Sequence, residues 1–486
     1  MVPEIRIQSC NTRLANPGAQ FVLYWMIAYR RVGWNFGLQR AAEWANQLGK
    51  PLVILEALRC DYRWASDRLH RFVLDGMADN ERHLQDAPAF YYPYLEPAVG
   101  AGKGLLQALS QHSCVIITDG LPCFFLPKMV SRAAKQVSVL MEKVDSNGLL
   151  PLRATSEVFK TAHAFRRFLQ KNLPDHLLQF PQAEPLQQLK SPRLASIPRE
   201  ILKRWPPLRE ESLAGGSDDA LRALPIDHTV HAVEARGGAA AAGRRCDGFI
   251  SERLSRYDAD RNQPELDATS GLSPYLHFGH ISPHQILGKL MKAEDWNPTR
   301  LASNAHGHRA GWWGMSAASE AFLDELVTWR ELGYNMCWQR ADHDRYDSLP
   351  EWAQATLADH RADPRPHTYS LEEFEAAQTH DALWNAAQTQ LRREGRIHNY
   401  LRMLWGKKIL QWSRSPQEAV EKMIQLNNKY ALDGRNPNSY SGIFWVLGRY
   451  DRPWGPERPI FGTVRYMSSE NTARKVRVKG YIGRYQ

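Results

Sequence analysis

The sequence predicts an α/β N-terminal domain on a parallel, Rossmann-like sheet, followed by an all-α C-terminal domain. Three observations predict it. Strand-like apolar runs alternate with helical stretches over the first 170 residues, a proline-rich stretch interrupts that alternation, and helical patterning with long loops takes over beyond Gly248. In chain order, FVLYWM (21–26) is a short run of β formers, and a helix over 36–48 ends at Gly49. Pro51 opens a second strand, PLVILEAL, and a helix covers 69–86. GKGLLQALSQH (102–112) is helical, CVIITD (114–119) a strand, FLPKMVSRAAKQV a helix and VSVLMEKVD a further strand. Strands separated by helices call for right-handed crossovers. Eight prolines between Pro174 and Pro225, followed by GGAAAAG at 237–243, mark an interdomain linker. The expected domains are therefore 1–172, a linker 173–246, and 247–486. In the last of these Ser415 is an N-cap, Pro416 sits at N1 and Glu418 completes a capping box. Val420, Met423 and Ile424 form the apolar stripe of that helix.

Composition narrows the class. With 43% hydrophobic and 23% charged residues, the 486-residue chain is not a disordered one. Its longest apolar run, FVLYWMIA at 21–28, falls far short of the ~20 residues a membrane span needs. The N-terminus shows no secretory pattern, so the expected location is the cytoplasm. Six scattered cysteines with no CxxC spacing argue against a disulfide framework or a zinc cage. Net charge is +10, and over residues 421–486 twelve Lys/Arg stand against five Asp/Glu, with Trp445, Tyr450, Trp454, Phe461 and Tyr466 interleaved. Such a patch suits a nucleic acid, because released counterions reward the charge and flat rings stack on bases. GAGKG at 100–104 lacks the spacing of a phosphate loop, and no GxGxxG or GxSxG occurs. His277 and His280 in LHFGH fit structural histidines better than metal ligands.

Four segments carry chemistry. In TSGLSPYLHFG (269–279) hydroxyls and free N–H groups precede a helical run, which suits an anion. In FLDELVTWRELGYN (322–335) Glu325 and Trp329 share a helix face beside Phe322 and Leu326. Partial desolvation there would raise the carboxyl's pKa and make it a proton or hydrogen-bond donor, although spacing alone favours an ordinary surface glutamate. In HNYLRMLWGKKILQW (398–412) Trp405 and Trp412 recur on one stripe, more often core than redox wire, with Arg402 one turn earlier. In IQLNNKYALDGRNPNSYSGIFW (424–445) Asn427 continues the apolar stripe and needs a partner if buried. Asp433, at a turn, is placed to pair with Arg402.

At these residues the chain resembles the photolyase/cryptochrome family, and more closely the class II cyclobutane pyrimidine dimer DNA photolyases. The matching stretches are LYWM, LGKPLVIL, TSGLSPYLHFG, YDSLPEWA, THDALWNAAQ, RMLWGKKILQW, LNNKYALDGRNPNSY and RPIFGTVRYMS, in the family's order. The resemblance implies an antenna domain, a linker and a helical domain holding FAD bent into a U and reduced and anionic when active. A second antenna chromophore such as a deazaflavin is compatible with it. It implies that Tyr257, Thr269, Ser270, Gly271, Leu272, Ser273 and Arg330 hold the FAD phosphates, that Asn427 faces the flavin, and that Arg402 and Asp433 pair against the ring. Trp405, Trp384 and Trp412 would form an electron chain from flavin to surface. Glu325 would hydrogen-bond the dimer, with Trp329 and Trp445 as pocket walls and Met403 and Tyr400 beneath. Arg261, Asn262, Arg452, Trp454 and Arg465 would hold UV-damaged duplex DNA whose dimer is flipped out, the protein acting as a monomer. The alternative within the family is a cryptochrome-like light sensor without repair. Departures from the family pattern are Asn436, His280, Asn399 and Leu404, and a longer stretch over 293–318 that includes HGHRAGWWGM.

Overall fold

The computed structural model describes residues 1–208 and 221–486. They form two compact units. The first is Met1–Thr155, Asp175–Asp247 and Leu272–Lys292; the second is Ser156–Pro174, Gly248–Gly271 and Ala293–Gln486. Among the described residues no helix is long and apolar enough to cross a membrane.

The first unit is built on six strands: β1 (Ile7–Ser9), β2 (Phe21–Met26), β3 (Leu52–Leu58), β4 (Ala89–Leu95), β5 (Ser113–Asp119) and β6 (Met141–Val144), in the order β1-β6-β5-β2-β3-β4. Neighbours run parallel except β1, which is antiparallel to β6. The parallel sheet expected from sequence is thus present, with an antiparallel edge added. β2 and β5 are buried along their whole length, which is why they read as unbroken apolar runs. β4 was missing from the sequence reading because Pro93 argues against a strand, and it lies at the sheet edge where proline is tolerated. Helix Phe36–Leu48 forms where expected: Asn35 accepts from Gly37 and Leu38 N–H, and Gly49 takes the left-handed conformation at the far end. The helix expected over 102–112 is confined to Leu105–Ser110. Strand order reverses between β2 and β5. There Asp119 accepts from Tyr24 Oη (2.6 Å) and from the N–H groups of Ile27, Ala28 and Tyr29, fixing the loop that leaves β2.

Residues 209–220 of the segment expected as a linker lie outside the described residues; the described parts of that segment pack on the first unit. Leu186 and Leu189 join the core around β2, and Leu221 and Leu224 pack with Leu58, Val73 and Met77. The Ala/Gly run becomes helix Ala239–Glu252, as the high helix propensity of alanine favours. Residues 272–292, expected with the helical domain, belong to the first unit. Gly279 explains how: at φ +74° it lies so close to the loop after β2 that a Cβ would stand 2.0 Å from the Ala28 carbonyl oxygen, and Arg31 donates to the Gly279 carbonyl at 2.9 Å. His280 is a core residue, stacked on Phe72 and accepting from Gly238 N–H.

The second unit is helical. Its helix Pro416–Tyr430 starts at the expected cap, Ser415 accepting from Glu418 N–H. The other half of the expected capping box differs: the Glu418 carboxylate accepts from Arg414 N–H instead.

Candidate functional site

The site begins at a π-helical turn. Asp324–Trp329 lies between helices Ala317–Leu323 and Arg330–Gln339, so Glu325 and Trp329 are not on the regular helix that their spacing suggested. Such turns often mark functional positions. Asp324 anchors it through a bidentate pair with Arg166 of helix Ala162–Asn172, at 2.7 and 3.1 Å, with both side chains buried. The neighbouring Glu325 carboxylate accepts from Arg261 at 2.9 Å. Burial raises the Glu325 pKa above the usual glutamate value; the Arg261 charge opposes this and the Asp324 charge adds to it.

Two helices and a loop complete the enclosure. Helix Asn399–Trp412 supplies Asn399, Arg402 and Met403. Arg402 pairs with Asp433 at 3.0 Å, while its Nε is buried without a hydrogen-bond partner. Helix Pro437–Trp445 supplies Ser439, Ser441, Gly442 and Trp445. In the loop beyond it, Asp451 accepts from Arg465 at 2.8 Å and from Trp454 Nε1 at 3.0 Å. The Arg465 guanidinium lies 3.9 Å above the Trp454 ring and 5.5 Å from that of Trp445. These groups line a cavity of about 800 Å³, the size of a pocket for a large ligand. Its wall is cationic and aromatic: Arg261, Arg402, Arg452 and Arg465 alternate with Trp329, Trp445 and Trp454.

The chain has known relatives. Over its full length the chain is 32% identical to a deoxyribodipyrimidine photo-lyase of Methanothermobacter thermautotrophicus, covering 98% of that protein. It is 32% identical to one from Arabidopsis thaliana (95% of this chain, 88% of the relative) and 33% identical to one from Potorous tridactylus (97% and 82%). The chain belongs to the deoxyribodipyrimidine photo-lyase family. No protein-family profile matches it. Its fold is that of a class III photolyase from Agrobacterium tumefaciens (TM-score 0.67, 18% identity, 96% of this chain and 86% of that one) and of a cryptochrome from Synechocystis (TM-score 0.65, 15% identity, 96% and 88%).

Photolyase-family lyases act on UV-damaged DNA with FAD as cofactor, and two features here fit that group. The orphaned Nε of Arg402 beside the cavity awaits an acceptor, and the Arg402–Asp433 pair forms as expected. Asn427 is buried, but its amide nitrogen already donates to Ser439 Oγ (2.7 Å) and Asn428 Oδ1 (3.2 Å). It stands one hydrogen bond behind the cavity wall, so burial alone does not demand a heterocycle next to it.

The three tryptophans meet in the order Trp405, Trp384, Trp412. The first two rings are 6.5 Å apart and 4° from parallel, the second two 6.0 Å apart and steeply inclined. Trp384 Nε1 donates to the Trp405 carbonyl, and Trp405 Nε1 to Gln388 Oε1 at 2.9 Å. One expectation needs correction. Trp412 does not reach the surface: it is 2% exposed, because Tyr369, Phe374 and His380 cover it.

Other expected residues stand apart from the cavity. Asn262 and Tyr400 are absent from its wall, as are Tyr257, Thr269, Ser270, Gly271 and Arg330. Tyr257 is packed edge-on against Phe249 and Phe322, and Arg330 donates to Tyr334 Oη. Leu272 and Ser273 fall in the first unit, and the helix they open, Ser273–His277, is only five residues long. That is too short for much of a terminal dipole. Sequence reasoning missed Arg166 and Asp324, 158 positions apart with no local signal, and also Ser439, which sits inside a segment already singled out. It missed His163, His308 and Arg309 as wall residues as well.

Proposed function

We propose that the chain repairs cyclobutane pyrimidine dimers in DNA under light, in the manner of a class II photolyase. The observation that carries this reading is the single cavity that joins Glu325 and Trp329, on one π-helical turn, to Trp445 and the Arg452–Trp454–Arg465 cluster. A sensor needs no pocket of this kind.

Arg452 and Arg465 meet DNA phosphates, which position the duplex without reading its sequence. Trp454, held between those two guanidinium groups, occupies the gap left by the flipped lesion. Extrusion is least costly for bases already poorly stacked. Trp329 and Trp445 wall the everted dimer, with Met403 beneath. Glu325, whose pKa is raised, donates a hydrogen bond to a dimer carbonyl while Arg261 orients the carboxyl. When bound, reduced and anionic FAD would supply photochemical electron donation at this site. Cleavage is redox-neutral overall, since both cyclobutane carbon–carbon bonds part with no net gain or loss of electrons. Arg402 and Asp433 would hold the cofactor, Asn427 fixes Ser439 at the wall, and Trp405, Trp384 and Trp412 would relay electrons to the bound cofactor.

The test is illumination of the reduced, FAD-loaded protein with a dimer-containing oligonucleotide. Recovery of pyrimidine absorbance near the ordinary base maximum is the expected result. DNA that binds without repair would replace this reading with the cryptochrome-like sensor.

A further inference from the structure

One motif remains outside that scheme, the HGHR run at 306–309. Its backbone is bolted to helix Ala162–Asn172. Gly307 N–H donates to Gln170 Oε1 at 2.7 Å, Gln170 Nε2 donates to the His308 carbonyl at 2.9 Å, and Arg166 donates to the Gly307 carbonyl at 3.3 Å. Only glycine permits the approach. At φ +77°, a Cβ on Gly307 would meet the His163 carbonyl oxygen at 3.0 Å and the Arg167 side chain at 3.2 Å. The pinned backbone leaves His306, His308 and Arg309 exposed, beside the equally exposed His163 and Arg167 of the helix. His163, His308 and Arg309 line the cavity that holds Glu325 and Trp329, and the Arg309 charge is near enough to lower the Glu325 pKa.

Three of these groups line the cavity, with His306 and Arg167 beside them in the same cluster, and the cluster has two readings, a metal site or an anion-binding rim. Among the described residues no group of three His, Cys, Asp or Glu is placed to hold a metal ion, and arginine is not a metal ligand. A rigid loop presenting charge on an exposed edge, continuous with the wall that carries Arg261 and Arg452, has the charge and the donors for the sugar-phosphate backbone. Resting on the reading of the cavity as a dimer pocket, we propose that this rim grips the DNA phosphates flanking the everted lesion, adding a second line of backbone contacts to that of Arg452 and Arg465.

The test is the salt dependence of binding in the dark. Affinity for a labelled duplex carrying one dimer is measured by fluorescence anisotropy between about 50 and about 200 mM salt. Each phosphate neutralised contributes about 0.9 to the slope of log K against log salt concentration, so Arg167→Ala/Arg309→Ala should flatten the slope by about 1.8. Arg167→Lys/Arg309→Lys should keep it, because the term depends on charge and not on guanidinium shape. Gly307→Ala, which displaces the loop but removes no charge, should weaken binding. An unchanged slope in the Ala/Ala variant, with wild-type preference for damaged over undamaged duplex intact, overturns the rim and spares the pocket. Wild-type protein that shows no such preference overturns both.

Discussion

Lys407 offers a quantitative check on the interior of the second unit. It is completely buried two positions after Trp405 on the same helix, with Nζ 2.5 Å from the Val446 carbonyl oxygen and 5.3 Å from the centre of the Trp445 ring. Burial pushes its pKa from the ordinary 10.5 down to about 7; Asp451 opposes the change and Arg465 assists it. Between about 7 and 10.5 the unfolded chain therefore binds a proton that the folded chain does not, and folding stability rises with pH across that window. The slope approaches 1.4 kcal/mol per pH unit, and the full penalty, present below pH 7, is about 5 kcal/mol. Lys407→Met keeps the stem and deletes the charge, leaving the Val446 carbonyl unpaired at a cost of about 1–3 kcal/mol. The variant should thus match or exceed wild-type stability near pH 6.5 and fall behind it by pH 10. Eleven of the sixteen tryptophans lie in the second unit, so urea unfolding followed by tryptophan fluorescence reports on it directly. A difference between variant and wild type that stays constant from pH 6.5 to pH 10 would refute the reasoning, since groups shared by both proteins cancel.

Three further outcomes are expected. Trp405→Phe should abolish light-driven reduction of oxidised FAD yet leave repair by chemically reduced protein largely intact, at a stability cost of about 1–3 kcal/mol for the unpaired Gln388 oxygen; equal loss of both activities would show the wire to be misassigned. Arg166→Ala should cost about 3–5 kcal/mol by chemical denaturation, because it leaves the Asp324 carboxylate buried and unpaired. Glu325→Leu, which deletes the donor, should lower the repair rate several-fold, about the 0.5–1.5 kcal/mol of one hydrogen bond, whereas Glu325→Gln keeps an amide donor and should retain most of the rate. With Glu325 as donor, wild-type repair should decline as pH rises through its elevated pKa and the Gln variant should not, which a pH–rate profile would reveal.

Local patterning carried much of the fold. β2, β3 and β5 were legible because strands buried on both faces are continuous apolar runs, and helix Phe36–Leu48 because glycine stops it. β1 was too short to show any period, and β4 was masked by Pro93. The proline-rich stretch looked like a linker because loop formers dominate its composition, while the few leucines that fold it onto the sheet are too sparse to form a pattern.

What the sequence by itself determined was the supply of chemistry: a basic, aromatic C-terminal region, Arg402 and Asp433 in reach of pairing, Trp405 and Trp412 seven apart on one helical stripe, and a glutamate flanked by apolar residues. What only the tertiary structure decided was which of these meet. Glu325 became half-sheltered through Arg261, 64 positions away, and Asp324 was fixed by Arg166, 158 positions away. Trp412 was covered by Tyr369 and His380, and Asn427 was satisfied by Ser439. The reason is physical. Helix and strand periods arise from neighbours within a turn or two and are written locally, whereas burial and the pairing of charges depend on side chains that folding alone brings within a few ångströms.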